Sequence, residues 1–164
     1  MRLLLLFSLS IFACKAPSAS VTGSVDGSKI SAVTAYWGGP YLVITDADFD
    51  CIDMAWARES YDDDEANTVT TDEGFKAVQF TYESSEVEES TLSIATRNAP
   101  ALAWFLEVDD GEAASTQATS GTIELAMEDD WAEGTFDLKF GDAGDLKGDF
   151  VAENCINLKK RKYE

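Results

Sequence analysis

The chain of 164 residues contains no histidine, and this absence excludes several kinds of chemistry. Without imidazole there is no His-based catalytic triad, no imidazole general base and almost no catalytic zinc site. The three cysteines are too few for a four-cysteine zinc site. The sequence also lacks a Gly-x-Ser-x-Gly turn, a Walker loop and a Gly-x-Gly-x-x-Gly motif. It therefore predicts a protein with no catalytic activity, no cofactor and no metal centre.

Basic residues are scarce as well. Twelve Lys and Arg stand against 31 Asp and Glu, which gives a net charge of −19. So acidic a protein repels nucleic acid, and no nucleic-acid partner is expected. Solubility is the favoured explanation of the charge, ahead of a specific cationic ligand. The one basic run, Lys159-Lys160-Arg161-Lys162, is either a solvated tail or a membrane-facing patch.

Long apolar runs are absent except at the N-terminus. Arg2 is followed by a run from Leu3 to Ala13 that only two serines interrupt, and then by Cys14. This order of charged, apolar and processing regions is typical of a secretory signal peptide, and the run is too short to span a bilayer as a helix. The alternative is an ordinary cleavage site after Ser18-Ala19-Ser20, with Cys14 discarded.

The segment Ile11-Phe12-Ala13-Cys14 resembles the lipobox of bacterial lipoproteins, although Phe12 departs from the small or aliphatic residue usual there. In that family a diacylglycerol is attached to the cysteine, and the chain is cleaved just before it. The resemblance implies a signal peptide over 1–13, a lipidated Cys14 and a tether over 14–20. It also implies a partner, the membrane, reached through the N-terminal lipid. Lys15 is not the aspartate that retains lipoproteins in the inner membrane, which points to the outer membrane of a bacterial cell envelope.

Cys51 and Cys155 remain as an even number of cysteines, whether Cys14 is lipidated or is discarded with the signal peptide. An exported chain meets an oxidising compartment, where such a pair is expected to form a disulfide. The bridge requires the two Cα atoms to lie about 4.4–6.8 Å apart. The sequence therefore predicts that these distant positions are neighbours in space.

Short patterns of strand length dominate residues 21–158. The predicted strands are Val21–Val25, Ser31–Trp37, Tyr41–Thr45, Ala77–Tyr82, Thr91–Ala95, Leu102–Val108, Ile123–Met127, Phe136–Phe140 and Asp145–Ala152. Eight or nine short strands with Gly- and Asp-rich turns predict an all-β fold, a single antiparallel β-sandwich or barrel-like domain. A helical turn is expected around residues 50–58, and a basic tail over 159–164.

The end of this region, from Gly134 to Cys155, resembles the closing hairpin of a set of uncharacterised bacterial lipoproteins. The shared pattern is a Gly-Thr-Phe-x-Leu strand, a Gly-Asp turn and Gly-x-Phe-x-Ala before a cysteine. Val21–Gly27 resembles the first strand of the same proteins, and the middle of the chain is unmatched. The resemblance implies a β-fold and no particular activity.

Two binding patterns remain open as alternatives. The first is the alternating carboxylates of Asp46-Ala47-Asp48-Phe49-Asp50 with Asp53, which offer the oxygen ligands that Ca²⁺ prefers. The EF-hand pattern fails there, because Cys51 replaces the required glycine and Ala57 the bidentate glutamate. The second is a set of aromatics that stack on sugar rings if exposed and pack a core if buried. They are Tyr36, Trp37, Tyr41, Trp104 and Phe105.

The sequence thus favours a membrane-anchored lipoprotein of the cell envelope without catalytic activity. The alternative is a sugar- or calcium-binding β-sandwich module, secreted or anchored. A hydrolase that uses two carboxylates is a third hypothesis, although a chance pair is expected among so many acids.

Overall fold

A computed structural model describes residues 15–54, 74–82, 90–109 and 112–159. These residues form ten strands, two 3-10 turns (Gly141–Ala143 and Ile156–Lys159) and a helical turn at 51–54. The strands are β1 (Ser18–Val25), β2 (Thr34–Gly38), β3 (Tyr41–Thr45), β4 (Phe75–Tyr82), β5 (Ser90–Ala95), β6 (Ala101–Asp109), β7 (Glu112–Gln117), β8 (Ser120–Glu128), β9 (Trp131–Lys139) and β10 (Gly144–Asn154).

Eight of these strands close into a barrel. Their order is β10-β2-β3-β4-β6-β5-β8-β9, and β9 pairs with β10 to complete the circle. The two additional strands are β1, which pairs with β10, and β7, which pairs with β6. Pairing is antiparallel except between β10 and β2 and between β5 and β6. The predicted all-β, barrel-like class is confirmed, and the barrel is mixed because of these two parallel contacts.

Both parallel contacts are short seams between two antiparallel sheets. β10 meets β2 only at Glu153 and Asn154, because β1 occupies the rest of that edge. β6 meets β5 only at Ala101, because β7 occupies the rest of that edge. Sheet I therefore contains β1, β10, β9, β8 and β5, and sheet II contains β2, β3, β4, β6 and β7. The closed barrel thus has the two-layer construction of a sandwich.

Apolar side chains from alternate positions of both sheets fill the barrel. Phe80 of sheet II packs edge-on against Phe136 of sheet I, with ring centroids 5.4 Å apart. The ring of Phe150 lies over Gly134 on the neighbouring strand, so a Cβ on this glycine would lie 2.8 Å from Cζ of that ring. The same Cβ would overlap the carbonyl oxygen of Glu124. The closing hairpin therefore needs glycine at this position for space.

A second hydrophobic cluster covers the outer face of sheet II. Residues 46–54 and the C-terminal 3-10 turn cross this face and bury Met54 and Leu158 against it. The hydroxyl of Tyr36 on β2 donates a hydrogen bond of 3.0 Å to the carbonyl of Phe49 in the crossing segment. β2 and β3 are consequently covered on both faces, which explains why they are buried without alternation.

Both ends of the described chain emerge at the same end of the barrel. Ser18, at the start of β1, lies opposite Val151, near the end of β10. We call this the N/C end. Val25, at the end of β1, lies opposite Gly144 and marks the opposite end.

All nine predicted strands are present, most of them with shifted boundaries. β3 has the expected bounds, whereas β1 begins at Ser18, inside the segment predicted to be a tether. β9 ends at Lys139, one residue before the predicted Phe140. The sequence pattern missed β7, because Glu-Ala-Ala-Ser-Thr-Gln lacks both β-branched alternation and large apolar residues. The helical turn at 51–54 agrees with its prediction, and residues 55–58 lie outside the described residues.

Candidate functional site

The N/C end begins with Lys15, the residue that follows the predicted lipid-attachment cysteine. Its ammonium group forms ion pairs with Glu133 and, at 3.6 Å, with Glu128, both on the β8–β9 hairpin. The hydrogen bond to Glu133 raises the pKa of Lys15. Cys14 and the predicted signal peptide lie outside the described residues, and so do Lys160, Arg161 and Lys162 of the basic run.

The predicted disulfide between Cys51 and Cys155 is present at the same end. The Cα atoms are 5.4 Å apart, within the range that the sequence prediction required. Cys155 is fully buried directly after β10, and its amide donates a 2.7 Å hydrogen bond to the carbonyl of Trp37 on β2. The bridge therefore fastens the segment that covers sheet II to the last strand.

Large exposed apolar side chains occur at both ends of the barrel. Ile52 is 55% exposed and Ile156 is 66% exposed, and each directly follows one of the bridged cysteines. They therefore lie together at the N/C end. Val33, which is 50% exposed, precedes β2 at the opposite end. The sequence pattern did not predict that any of these residues is exposed.

The aromatics considered as a sugar-stacking face are core residues. Trp37 contributes to the barrel core and Tyr36 to the outer cluster of sheet II, and Tyr41 is buried as well. Phe105 is buried inside the barrel, and the half-buried Trp104 packs against the outer cluster. Core packing thus accounts for the whole set, and these rings do not present a stacking face.

Two of the carboxylates considered for calcium, Asp46 and Asp50, accept hydrogen bonds from the backbone. Asp46 accepts a 2.7 Å hydrogen bond from the amide of Lys76 on β4. Asp50 accepts hydrogen bonds from the amides of Ile52 and Asp53, and thereby caps the helical turn. Across the described ranges, no three acidic or cysteine side chains converge as a metal site. Backbone hydrogen bonding therefore accounts for Asp46 and Asp50.

A serine, a lysine and a glutamate meet at the opposite end of the barrel. Lys76 donates a 2.7 Å hydrogen bond to the hydroxyl of Ser28, and this hydroxyl donates to Glu107. The lysine also lies 3.4 Å from the carboxylate of Glu107, its cross-strand partner. A serine nucleophile needs a neutral lysine as its base, whereas this lysine forms an ion pair. The cluster therefore acts as a clamp between the β1–β2 loop and sheet II.

An open groove of about 880 Å³ runs across the outer face of sheet I. Its outward-facing lining includes Thr91, Glu124, Glu133, Thr135 and Asp149 from β5, β8, β9 and β10. Thr135 donates a 3.3 Å hydrogen bond to Glu124, and both side chains are exposed. A groove lined by solvated hydroxyls and carboxylates has the character of ordinary polar surface.

Among the acids that the structure describes, the one with a displaced pKa does not suit a hydrolase. Hydrogen bonding to Lys139 lowers the pKa of Asp145 on β10, whereas a catalytic general acid needs a raised pKa.

Tyr82, at the end of β4, has the opposite displacement, because burial raises the pKa of its phenol. Its hydroxyl has no hydrogen-bond partner among the described residues. Sequence alternation with Val78 and Phe80 was the signal for this burial.

Comparison with protein-family models, with curated proteins and with solved structures finds no match to this chain. None of the helical segments that the structure describes is long and apolar enough to cross a membrane. The chain is therefore characterised by its own features: a mixed eight-stranded barrel with two additional strands and one disulfide that links residue 51 to residue 155.

Proposed function

We propose that the protein is a lipoprotein of the bacterial cell envelope, anchored through Cys14, with a structural or interaction role and no catalytic activity. The observation that carries this proposal is the short connection between the lipobox cysteine and the barrel. Lys15 is already ion-paired with Glu133, and β1 begins at Ser18. An acyl group on Cys14 would therefore hold the N/C end directly against a bilayer. The outer membrane is the proposed location, because Lys15 is not the aspartate of inner-membrane lipoproteins.

The disulfide supports export, which the proposal requires. Disulfides persist in oxidising compartments such as the bacterial periplasm and are rare in the cytosol. The bridge between Cys51 and Cys155 belongs to the packed structure, since Cys155 is fully buried. A chain that depends on such a bridge is best suited to a compartment where the bridge forms.

The alternative functions receive less support from the described residues. A sugar-binding module loses its proposed stacking face, because Trp37 and Tyr41 are buried. A calcium-binding module loses two of its ligands, because Asp46 and Asp50 accept hydrogen bonds from backbone amides. The proposal of an anchored domain needs neither site.

Lipid attachment is testable in a Gram-negative host that expresses the full chain. We expect incorporation of labelled palmitate and a mature mass that begins at Cys14 and includes the acyl groups. Cys14→Ser should abolish both signals and leave an unprocessed precursor. The double variant Cys51→Ala/Cys155→Ala is the matched control and should still incorporate palmitate. A mature N-terminus beyond Cys14 without acyl mass would refute the anchor.

A further inference from the structure

β1 is an open edge of sheet I. Its eight residues pair with β10, and no other described strand pairs with them. The register with β10 is continuous from Ser18 to Val25, and the strand contains neither a charged residue nor a proline. Natural edge strands are usually protected by charges, proline or a bulge, because their backbone groups can pair with another strand. β1 has none of these protections.

The chain begins a hairpin partner for β1 and then leaves it. The amide of Val25 donates a 2.9 Å hydrogen bond to the carbonyl of Ser28, and the amide of Ser28 donates a 2.8 Å hydrogen bond to the carbonyl of Val25. This bridge is isolated, so the residues after Ser28 do not extend it along β1. The rest of the edge has no strand partner among the described residues.

The backbone groups that point away from β10 can be assigned. The carbonyl oxygen of Ser20 lies against Gly148 of β10, so Ser20 directs its backbone groups towards that strand. Successive residues of a strand direct these groups to opposite edges. Ala19 and Val21 therefore direct their N–H and C=O groups outwards, as Val25 does in the turn.

The two faces of this edge differ in character. The side chains of Ala19 and Val21 are half-buried against the barrel core, whereas Ser20 and Thr22 are exposed on the outer face of sheet I. A strand added to β1 continues both faces, because side chains alternate along a strand. Its inward residues cover Ala19 and Val21, and its outward residues lie beside two short hydroxyl side chains.

The outer face next to β1 is acidic. Ser20 pairs with Asp149 on β10, and the same row continues across sheet I to Glu124 on β8. Asp149 is exposed and forms no ion pair with any residue that the structure describes. Neighbouring strands are about 4.8 Å apart, so an outward residue of an added strand lies about 10 Å from Asp149. A lysine or arginine side chain reaches the carboxylate over the short side chain of Ser20.

We propose that the open edge of β1 binds an extended segment of another protein by strand addition, and that this segment alternates apolar and basic residues. Backbone hydrogen bonds to Ala19 and Val21 provide the pairing. The apolar residues cover the core, and the basic residues meet the acidic outer face of sheet I. The net charge of −19 attracts such a segment and repels a second copy of the chain.

The test uses the full mature chain with Cys14→Ser, exported behind an ordinary signal peptide so that the disulfide forms. The probe is a fluorescent synthetic peptide as long as β1, in which lysine and valine alternate. Two matched peptides are controls: one has glutamate in place of lysine, and the other has every amide nitrogen methylated. Fluorescence anisotropy measures the affinity, and amide hydrogen exchange locates the contact.

We expect the lysine peptide to bind with an affinity that falls as salt rises. Exchange should slow at the amides of Ala19 and Val21, whereas the amide of Ser20, which faces β10, should change little. The glutamate peptide should bind at least about tenfold more weakly through charge repulsion. The methylated peptide should show a similar loss of at least about tenfold, because it donates no backbone hydrogen bonds.

Three variants of the protein test the same contact from the other side. Val21→Pro removes an outward donor but keeps the bonds to β10, and it should lower the affinity at least about tenfold. Urea unfolding checks that this variant is folded, and if it is not, the methylated peptide decides the same point. Asp149→Asn should lower the affinity about two- to fivefold. The matched control Asp142→Asn removes an exposed carboxylate from the 3-10 turn at the opposite end and should change it by less than Asp149→Asn does.

Three results would overturn the proposal. These are no binding of the lysine peptide, binding without slower exchange at Ala19 and Val21, or equal losses with Asp149→Asn and Asp142→Asn. Sedimentation tests the other occupant, a second copy of the chain. A dimer of the parent chain that Val21→Pro dissociates would assign the edge to self-association and also overturn the proposal. All these measurements are made without the acyl group, so they are independent of palmitate incorporation at Cys14.

Discussion

Removal of the disulfide should strongly destabilise the protein. The perturbation is the double variant Cys51→Ala/Cys155→Ala, which leaves no free thiol in the buried position of Cys155. The bridge closes a loop with a sequence separation of 104 residues. In the chain-entropy model, a crosslink over such a loop stabilises the folded state by about 4–5 kcal/mol, because it restricts the unfolded chain.

This magnitude applies if the covering segment and the barrel unfold together. Small domains have total stabilities of about 5–15 kcal/mol, so the variant should lose a large share of the total. For a domain of this size the loss corresponds to a fall in Tm of about 8–20 °C. If the segment at 46–54 detaches alone, the barrel should keep most of its stability, because β10 remains paired with β9 and β1.

Urea unfolding followed by tryptophan fluorescence measures the global loss, and native-state hydrogen exchange shows where it falls. Met54→Ala is the matched control, since it removes a fully buried side chain of the covering segment but keeps the crosslink. It should cost about 2–5 kcal/mol. A double cysteine variant that loses less than about 1 kcal/mol, with unchanged exchange in β2 and β4, would refute the role assigned to the bridge.

Three further predictions concern single side chains, each measured by urea unfolding. Gly134→Ala should lower the free energy of unfolding by several kcal/mol, because its Cβ would overpack the core. Gly27→Ala has open space around its Cβ and should lower it by only about 1 kcal/mol, because of the positive φ at this position. Equal losses in the two variants would contradict this reasoning. Tyr82→Phe should preserve or raise stability by about 1 kcal/mol by removing a buried hydroxyl. Because burial raises the folded-state pKa of Tyr82, its stabilisation should persist below the unfolded pKa of about 10 and decline at higher pH; a phenylalanine variant with an unchanged alkaline profile would contradict it. Ser28→Ala should cost about 0.5–1.5 kcal/mol by opening the clamp with Lys76, and no loss would refute the clamp.

Several features could be predicted, because their signals are local in the sequence or follow from the number of cysteines. Alternation with a period of two indicated the last hairpin, in which Phe136 and Leu138 are buried while Asp137 faces out. Cys51 and Cys155 could be paired by count and by the expected export. β7 could not be found, because its small polar residues form a strand only by pairing with β6.

The exposed isoleucines at the N/C end could not be predicted from sequence. Isoleucine is among the residues most often buried, and only the fold leaves Ile52 and Ile156 exposed at one end. Conversely, Trp37 and Tyr41 have the composition of a binding face, yet both are buried, Trp37 in the barrel core. Exposure depends on what covers a residue, and the covering segments are distant in sequence.

The sequence by itself determined the all-β class, the position of most strands and the identity of the bridged cysteines. The class and the strands follow from side-chain periodicity, which acts within a few positions. The pairing of the cysteines follows from a residue count, which needs no geometry. Only the tertiary structure decided how the two sheets close into a barrel, that β10 meets β2 in parallel and that sheet II is covered on its outer face. The pairing of β10 with β2 joins residues more than a hundred positions apart, such as Trp37 and Asn154. No local pattern specifies such a contact, because it forms through the shared packing of all the strands between them.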